Sequence, residues 1–374
     1  MIERVDKNKH KITVECGIIN GKRKRKSVIF YGSKQEAKIK EIELIKEIRE
    51  NKDCFLQKEK LTFLELVNIY LEDYCKDNLK ENTIYGYKNL LKVILPELGS
   101  LKVKDITTHT LQRYYNKLKR ENGYCSNTIR HHYVLINSIF EIGIKWQLVS
   151  TNPNKRIEKP KANAKKAKIY NYEQLNKFLE VLDLEPIYYQ APMLLCIDTG
   201  MRREELNGLK WENVDLERGI IRVREVRLAV GKDIVVTTPK TDNSNRDIDI
   251  TQKSLHALKK LKEYQNNLAN VLGNKWNDTG YVFVNDSGLP YYPDTLSKIF
   301  KKIVKKYNLD DLTLHQLRHT CASLLLHSKE DIVSVSERLG HSNVSTTLDI
   351  YAQIVEELEE KSITKTMSNI LSSN

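Results

Sequence analysis

The sequence predicts an α+β protein of several domains: a small N-terminal β-sheet with one helix, an all-α helical bundle, and a mixed, mainly α domain with a small antiparallel sheet. Its 374 residues exceed the roughly 250–300 residues at which single hydrophobic cores stop growing. Apolar residues alternate with period two near the start, follow a helical period from 61 to 150, and combine both patterns after 169. The expected segments are 1–55, 60–152, a basic linker at 153–168, and 169–374 with a C-terminal tail.

Composition excludes several classes of protein. With 40% apolar residues, 15 glycines and 8 prolines, the chain can form packed cores and is neither collagen-like nor low in complexity. No apolar run approaches the ~18 residues of a membrane helix, and Met1–His10 is charged where a signal peptide needs an apolar stretch. The six cysteines are scattered singly, without a Cys-x-x-Cys pair. We therefore expect a cytoplasmic protein with no membrane partner.

The basic excess is concentrated towards the N-terminus. Residues 1–60 hold 17 basic and 10 acidic side chains, residues 61–160 hold 15 and 10, and residues 161–374 hold 30 and 29. The segments carry +7, +5 and +1, which make up the net charge of +13. This distribution favours a polyanion held mainly by the first two segments, because phosphate contacts give salt-sensitive affinity. A merely soluble basic surface is the alternative.

The first segment is expected to form a hairpin. Ile12, Val14, Cys16 and Ile18 alternate with less buried positions, and Asn20-Gly21 is a type I′ turn signal. Five cations follow the turn: Lys22, Arg23, Lys24, Arg25 and Lys26. They are expected to contact DNA, although a solvated strand edge that discourages aggregation would look similar.

Two capping boxes predict where helices begin. Ser33 and Glu36 open a helix that is expected to bury Ile39, Ile42, Ile45 and Ile48, which recur at helical spacing. Thr62 and Glu65 open the first helix of the bundle. Further bundle helices are expected near 83–95, 108–121 and 127–145.

After 169 the pattern mixes helices with short strands. Asn171 is expected to cap a helix that ends at Leu182. The remaining helices are expected at 187–198, 251–271, 294–307, 313–328, 330–339 and 345–360, and the strands at 220–228, 234–238 and 247–250.

The first motif whose residues could take part in chemistry is Thr199-Gly200-Met201-Arg202-Arg203-Glu204-Glu205, in which a turn glycine is followed at once by a helix start. Arg202 and Glu205 are three residues apart and project from one face of the first helical turn. A guanidinium oriented by a carboxylate suits bidentate contact with a phosphate. Taken alone, such a pair is most often an ordinary surface ion pair.

The second motif is Thr313-Leu314-His315-Gln316-Leu317-Arg318-His319-Thr320. His315, Arg318 and His319 share one helical face and the leucines lie opposite, which favours a cationic site above an apolar core. His315 and His319 could also bind a metal ion. Zinc hydrolases of that kind need Glu directly after the first His, where this chain has Gln316, so we expect no metal.

The third motif, Leu339-Gly340-His341-Ser342, ends a helix with a glycine suited to the left-handed stop. Tyr351 follows ten residues after His341, in the next expected helix. A lone tyrosine in a helix is usually a core or surface aromatic, so this position gains meaning only together with the other motifs.

Together these motifs resemble the catalytic signature of the tyrosine recombinase, or phage integrase, family: T-G-x-R with Glu three residues on, then H-x-x-R-H, then L-G-H, then Tyr about ten residues later. The preceding segments resemble the family's helical, SAM-like core-site-binding domain and its arm-site-binding sheet domain, as in integrases of temperate phages and conjugative transposons. The resemblance implies a site-specific recombinase that integrates and excises a mobile element or prophage.

The resemblance also implies roles for individual residues. Arg202 and Arg318 would clamp the scissile phosphate, and Tyr351 would attack it to form a 3′-phosphotyrosyl link. Lys240, on a hairpin, would protonate the departing 5′ oxygen, with Lys232 as the close rival. The supporting residues would be His315 and His341 as hydrogen-bond donors, Glu205 as the partner of Arg202, and His319 behind them.

The implied partners are double-stranded DNA attachment sites, a homotetramer assembled on DNA, an excisionase and a host DNA-bending protein, in the bacterial cytoplasm. Neither ATP, a metal ion nor another cofactor is implied. A type IB topoisomerase, which uses nearly the same residue set on one duplex, remains the alternative. A non-catalytic DNA-binding regulator and a metal-dependent nuclease are the other classes left open.

Overall fold

The computed structural model describes residues 2–6, 9–19, 22–45, 60–161, 168–239, 244–328, 330–341, 343–345, 347 and 348, with the backbone alone at 5, 15–19 and 22–26. The chain divides into two compact units, Met1–Asn163 and Ala164–Asn374. The expected α+β class is confirmed, with a helical bundle and small antiparallel sheets. Within the described part of the chain, no helix combines the length and the apolar character needed to span a membrane.

The first unit begins with a three-stranded antiparallel sheet of β1 (Ile2–Asp6), β2 (Lys9–Ile19) and β3 (Lys22–Tyr31). The β2–β3 pairing runs from Lys9 opposite Tyr31 to Ile19 opposite Lys22, which confirms the expected hairpin. Asn20 and Gly21 themselves lie outside the described residues. The sequence did not predict β1, because three of its five residues are charged.

A helix over residues 34–45, α1, packs on this sheet. The backbone N–H of Ser33 donates to Glu36 Oε2 at 2.7 Å, so the expected capping box is confirmed. The expected burial of Ile39 and Ile42 is wrong, since they are 59% and 65% exposed. The face that meets Ile12 and Val14 instead carries Ala37 and Leu44, with Ile45 partly buried beside them; Ile48 lies outside the described residues.

The helical bundle forms as expected. Its helices are α2 (Phe63–Ile69), α3 (Lys76–Asn78), α4 (Glu81–Leu98), α5 (Thr108–Arg120) and α6 (Ser126–Lys145), with a π-helical segment, Tyr70–Cys75, joining α2 to α3. The Thr62–Glu65 capping box is present. Fully buried aromatic and aliphatic side chains, among them Phe63, Tyr70 and Phe140, fill the core.

The segment expected to be an extended linker begins with folded structure. Pro153–Arg156 forms a 3-10 turn. Buried Asn154 accepts a hydrogen bond from Tyr115 Oη at 2.8 Å and donates to the carbonyl of Tyr133 at 3.0 Å. Ile157 belongs to the core of the bundle. A linker across 153–168 therefore stays a prediction, and the structure shows its first residues packed on the bundle.

The second unit contains helices on a small sheet. Its elements in chain order are α7 (Tyr172–Leu182), α8 (Ile187–Thr199), α9 (Arg203–Gly208), β4 (Val214–Asp215), β5 (Ile220–Val223), β6 (Val226–Val230), β7 (Asp233–Thr237), β8 (Arg246–Asp249), α10 (Gln252–Leu272), α11 (Thr295–Lys306), α12 (Leu314–His327) and α13 (Ile332–Leu339). The sheet has the order β4-β5-β8, and β6 and β7 form a separate hairpin. The strand expected at 220–228 is thus two strands in two sheets. Nearly all of the helix expected at 345–360 lies outside the described residues.

Helix α8 is the central element of the second unit. It packs against both α10 and α12, and most of its second half, from Ala191 to Cys196, is buried. A helix that is apolar on nearly every side belongs in a core. Because α8 is fixed in this way, its C-terminal end at Gly200 is a rigid starting point for the first motif.

Candidate active site

The three motifs converge at the ends of helices. Gly200 and Gly340 have positive φ angles of 62° and 67° and terminate α8 and α13. Arg318, on α12, donates from Nη1 to the carbonyl of Gly200 at 2.6 Å and from Nη2 to the carbonyl of Leu339 at 2.8 Å. Arg202 Nη2 donates to the carbonyl of Gly340 at 2.7 Å. The structure therefore brings the two expected arginines and the L-G-H turn into one cluster.

Glu205 lies beneath this cluster with its side chain almost fully buried. Oε1 accepts from Arg202 Nη1 at 2.7 Å, and Oε2 accepts from the backbone N–H of Arg202 at 2.9 Å. Burial opposes ionisation, but Arg246 and then Arg202 outweigh it and hold the pKa of this carboxyl below its usual value. The carboxylate is therefore ionised and paired with Arg202, as the helical spacing predicted.

The sequence did not identify Arg246 as part of the site. It begins β8, and its Nη2 donates to Glu205 Oε2 at 2.9 Å. The burial of β8 alternates, with Arg246 and Ile248 on the inner face and the two aspartates on the outer face. An arginine in register with an apolar core position is unusual unless it is paired. That alternation, R-D-I-D, is the signal that could have revealed it.

Arg318 is buried more deeply than a solvated helix face would suggest, with 2% of its surface exposed. Burial, reinforced by nearby Arg202, lowers the pKa of its guanidinium to about 9, which leaves it protonated at neutral pH. Arg202, Arg246 and Arg318 thus place three cations around one carboxylate. The cluster carries excess positive charge, which favours an anionic ligand.

The histidines of the second and third motifs have pKa values that are lowered, which favours their uncharged forms. The rings of His315 and His319 meet edge to face with centroids 4.8 Å apart. Burial lowers the pKa of His315, that of His319 to about 4 and that of His341 to about 3, and Arg318 contributes to each shift. A neutral imidazole offers one N–H donor and one acceptor nitrogen. His341 Nδ1 is 2.8 Å from Thr347 Oγ1.

Several predicted site residues fall outside what the structure describes. Tyr351 and Lys240 are not among the described residues, and the basic run from Lys22 to Lys26 is described by its backbone alone, on β3. The rival Lys232 is exposed at the turn between β6 and β7, beside Gly231 with φ 67°. Among the described residues, no group of three or more His, Cys, Asp and Glu side chains is arranged to hold a metal ion.

Comparison with known families identifies the class. Residues 168–357 match the model of the phage integrase family, and residues 62–119 match the N-terminal SAM-like domain of phage integrases. The first match spans half of the chain and includes the three motifs and Tyr351. The chain belongs to the phage integrase family of tyrosine recombinases.

Relatives extend over nearly the whole chain. The ICEBs1 integrase of Bacillus subtilis is 27% identical over 358 residues, covering 94% of this chain and 95% of that protein. A XerC-like tyrosine recombinase of Caldanaerobacter subterraneus is 30% identical over 371 residues, covering 93% of each. The Tn1549 transposon integrase, solved in complex with a circular intermediate DNA, has a TM-score of 0.68 at 21% identity, over 78% of this chain and 95% of that one. That last likeness shows the fold.

The protein is therefore a site-specific DNA recombinase, an enzyme that cleaves and rejoins DNA. DNA is its partner. The topoisomerase alternative is not favoured, because the family and the relatives are integrases and recombinases.

Proposed function

We propose that the protein integrates and excises a mobile element or prophage by cutting DNA through a 3′-phosphotyrosyl intermediate, with Tyr351 as the nucleophile. The observation that carries the proposal is the hydrogen-bonded cluster of Arg202, Arg318 and the Gly340–His341 turn. This cluster joins three motifs that are far apart in sequence and surrounds one carboxylate with three cations. A phosphodiester is the anionic ligand that fits both the charge and the family.

Arg202 and Arg318 supply the positive charge that phosphoryl transfer needs. Negative charge accumulates on the non-bridging oxygens in the transition state, and donors held in place beforehand stabilise it without reorganisation. Arg202 keeps a side chain that is 32% exposed although two of its nitrogens are anchored. In our proposal it contacts the phosphate from that exposed side, while Arg318 approaches from within.

The histidines and Lys240 complete the proposed chemistry. Tyrosine titrates near ~10, so cations beside Tyr351 favour its reactive phenolate. The phenol gives up its proton, with His315 or His341 assisting the transfer, and its oxygen forms a bond to phosphorus. The bond to the 5′ oxygen breaks, and Lys240 gives that oxygen a proton. Neutral His315 and His341 donate hydrogen bonds to the phosphate, and His319 supports the ring of His315. The phosphotyrosyl link conserves the bond energy, so a 5′ hydroxyl from a second duplex can reverse the attack.

The number of DNA strands cut in one recombination determines how many subunits we propose. Recombination of two duplexes cuts four strands, and each cut uses one tyrosine, so we propose a homotetramer on DNA. Residues 361–374 would pass between neighbouring subunits. An excisionase and a host DNA-bending protein would set the direction of exchange in a bacterial cytoplasm.

The proposed domain scheme assigns residues 1–55 to arm-type sites, 60–152 to core sites and 169–374 to catalysis. The β2–β3 hairpin offers a two-stranded edge that fits a major groove, with the run from Lys22 to Lys26 on β3. Footprinting the chain with and without residues 1–55 tests this scheme. Loss of protection away from the crossover, with cleavage of core sites retained, is expected, whereas unchanged footprints would contradict it.

Trapping the covalent product tests the function itself. Full-length protein is incubated with DNA carrying the junction of the candidate element, in EDTA, and separated on a denaturing gel. We expect a protein–DNA adduct whose mapped junctions lie at the ends of the element, and exchange between two labelled duplexes. Cleavage abolished by EDTA would indicate a nuclease, and relaxation of one duplex without exchange would indicate a topoisomerase.

A further inference from the structure

Arg246 has no part in the chemistry proposed above, yet its guanidinium connects three segments of the second unit. Nε donates to the carbonyl of Arg338 near the end of α13 at 2.6 Å. Nη1 and Nη2 donate to Glu205 on α9 at 3.3 and 2.9 Å. Nη1 also donates to the carbonyl of Ser244, ahead of β8, at 3.2 Å. One side chain therefore joins the first motif to the third.

These contacts leave Arg246 unsuited to holding the DNA itself. Its side chain is 7% exposed, and Nε, Nη1 and Nη2 each donate to an acceptor within the protein, whereas the bonds described for Arg318 use Nη1 and Nη2 alone. A phosphate could be bound only by giving up those bonds, at the cost of leaving buried groups unpaired. Its influence on the reaction must pass through the groups that it holds.

The first of these groups is the carboxylate of Glu205. Each oxygen of that carboxylate accepts one hydrogen bond from Arg202 and one from Arg246. Without Arg246, the buried carboxylate would lose one of the two cations bonded to it, and its grip on Arg202 would weaken. The orientation of Arg202 therefore depends on Arg246 although the two arginines share no hydrogen bond among those described.

The second group is the turn at the end of α13. A Cβ on Gly340 would lie 2.8 Å from Arg246 Nη1, so the guanidinium packs directly against the glycine that precedes His341. Together with the bond to Arg338, this packing fixes the point at which the chain leaves the helix. The position of His341 follows from it.

We infer that Arg246 is a positioning residue. It orients Arg202 through Glu205, and it fixes the position of His341 through the end of α13. The inference rests on the proposed function, because the arrangement matters if a phosphate is held between these side chains. The sequence also places Arg246 shortly after Lys240, so β8 links the connection that carries Lys240 to the same cluster.

The test compares a normal scissile phosphate with a methylphosphonate, which lacks one negative charge and depends less on Arg202. Single-turnover adduct formation is measured for wild type, Arg202→Ala, Arg246→Met, Arg246→Lys and the double variant Arg202→Ala/Arg246→Met. We expect Arg246→Met to slow the phosphate reaction roughly 100-fold, the loss typical of a small misplacement, and the methylphosphonate reaction much less. The double variant should lose less than the product of the two single losses, because both changes act on one interaction.

Equal losses on both substrates, or losses that multiply in the double variant, would overturn the inference and leave Arg246 a purely structural residue. Arg246→Lys keeps the charge without the planar fork, so it gives the same readout if the methionine variant does not fold. Arg222→Ala, on neighbouring β5 with a partly exposed side chain, is the control and should react at the wild-type rate. If Arg202→Ala slows the reactions of both substrates equally, the proposed phosphate clamp fails. If Arg202→Ala slows the phosphate reaction more than the methylphosphonate reaction and the Arg246 variants do not, only this inference fails.

Discussion

Arg202 and Gly340 are joined by a hydrogen bond of 2.7 Å, from Nη2 to the carbonyl oxygen, although 138 residues separate them in sequence. The acceptor is backbone at the left-handed end of α13, so the guanidinium is held against a rigid point. His341 follows directly on that backbone. The relation between the first and third motifs is therefore built into the fold before DNA binds, which is the condition for stabilising a transition state without reorganisation.

Gly340→Ala should disturb this relation more than an alanine at another left-handed glycine. Gly340 has φ 67°, and an added Cβ would meet Arg246, whereas Gly280 has φ 70° with no atom within 4 Å of an added Cβ. Both changes should cost the ~1–2 kcal/mol of a left-handed non-glycine residue, and Gly340→Ala about 1–3 kcal/mol more for overpacking. Urea unfolding of the second unit measures the difference. Equal losses of unfolding free energy at the two positions would contradict the close packing against Arg246.

Glu205→Gln should be strongly destabilising, because it leaves Arg202 and Arg246 without their shared countercharge. Removing one partner of a buried ion pair costs about 3–5 kcal/mol. Glu204→Gln is the matched control, since its ion pair with Arg203 is about one-third exposed on both sides and such pairs contribute ~1 kcal/mol or less. Unfolding free energies of the two variants check the prediction, and a Glu205 variant as stable as the Glu204 variant would argue against it.

Which side chains of a motif lie together was predictable from the sequence, because helical spacing determines which side chains share a face. Arg202 and Glu205 pair as their separation predicts, and α12 packs Leu314 and Leu317 into the core. The alternation of Arg246 to Asp249 could have indicated that Arg246 is buried and paired, but its partners were not predictable, because nothing in the linear pattern shows that β8 lies against the end of α13.

The face of α1 that packs on the sheet could not be predicted from the spacing of its apolar residues either. Isoleucines at helical spacing suggested one apolar face, but the sheet packs on a face that includes the small side chain of Ala37. Periodicity predicts that a helix has an apolar stripe, and the choice between two neighbouring stripes is made by how closely the backbone can approach the sheet.

The folded protein should resist protonation of its active-site histidines. Burial first, and then His315 beside His319 and Arg318 beside His341, lowers the pKa values of His319 and His341 to about 4 and about 3. Between pH ~6.5 and those values the unfolded chain binds protons that the folded chain does not. The unfolding free energy should therefore fall as the pH decreases through this window, and the effect should be absent above it.

Nitrogen chemical shifts of labelled histidine measure the protonation directly, in the protein without DNA. Urea midpoints of wild type and His341→Gln between pH 4 and pH 7 give the linked stability, and the variant should show the weaker dependence. Protonation of His341 near pH 6.5 would contradict the burial that the structure assigns to it.

Lys240→Ala should slow cleavage selectively when the leaving group needs a proton. With a normal 5′ oxygen the loss should be about 100-fold or more, as expected for removing a general acid. With a 5′-thio leaving group, which departs as a thiolate, the loss should be small. Lys232→Ala, at the exposed turn between β6 and β7, is the control; the reverse pattern between the two lysines would transfer the role to Lys232.

The central claim is that Tyr351 forms the covalent bond to DNA. Its direct test is mass spectrometry of the protease-digested adduct made by wild type and by Tyr351→Phe on a nicked suicide duplex. We predict a peptide carrying a 3′-linked nucleotide at Tyr351 in the wild type, and no adduct in the variant, whose DNA affinity should change only by the modest factor expected for one hydroxyl. An adduct in Tyr351→Phe, or a nucleotide linked to any other residue of the wild type, would contradict the account.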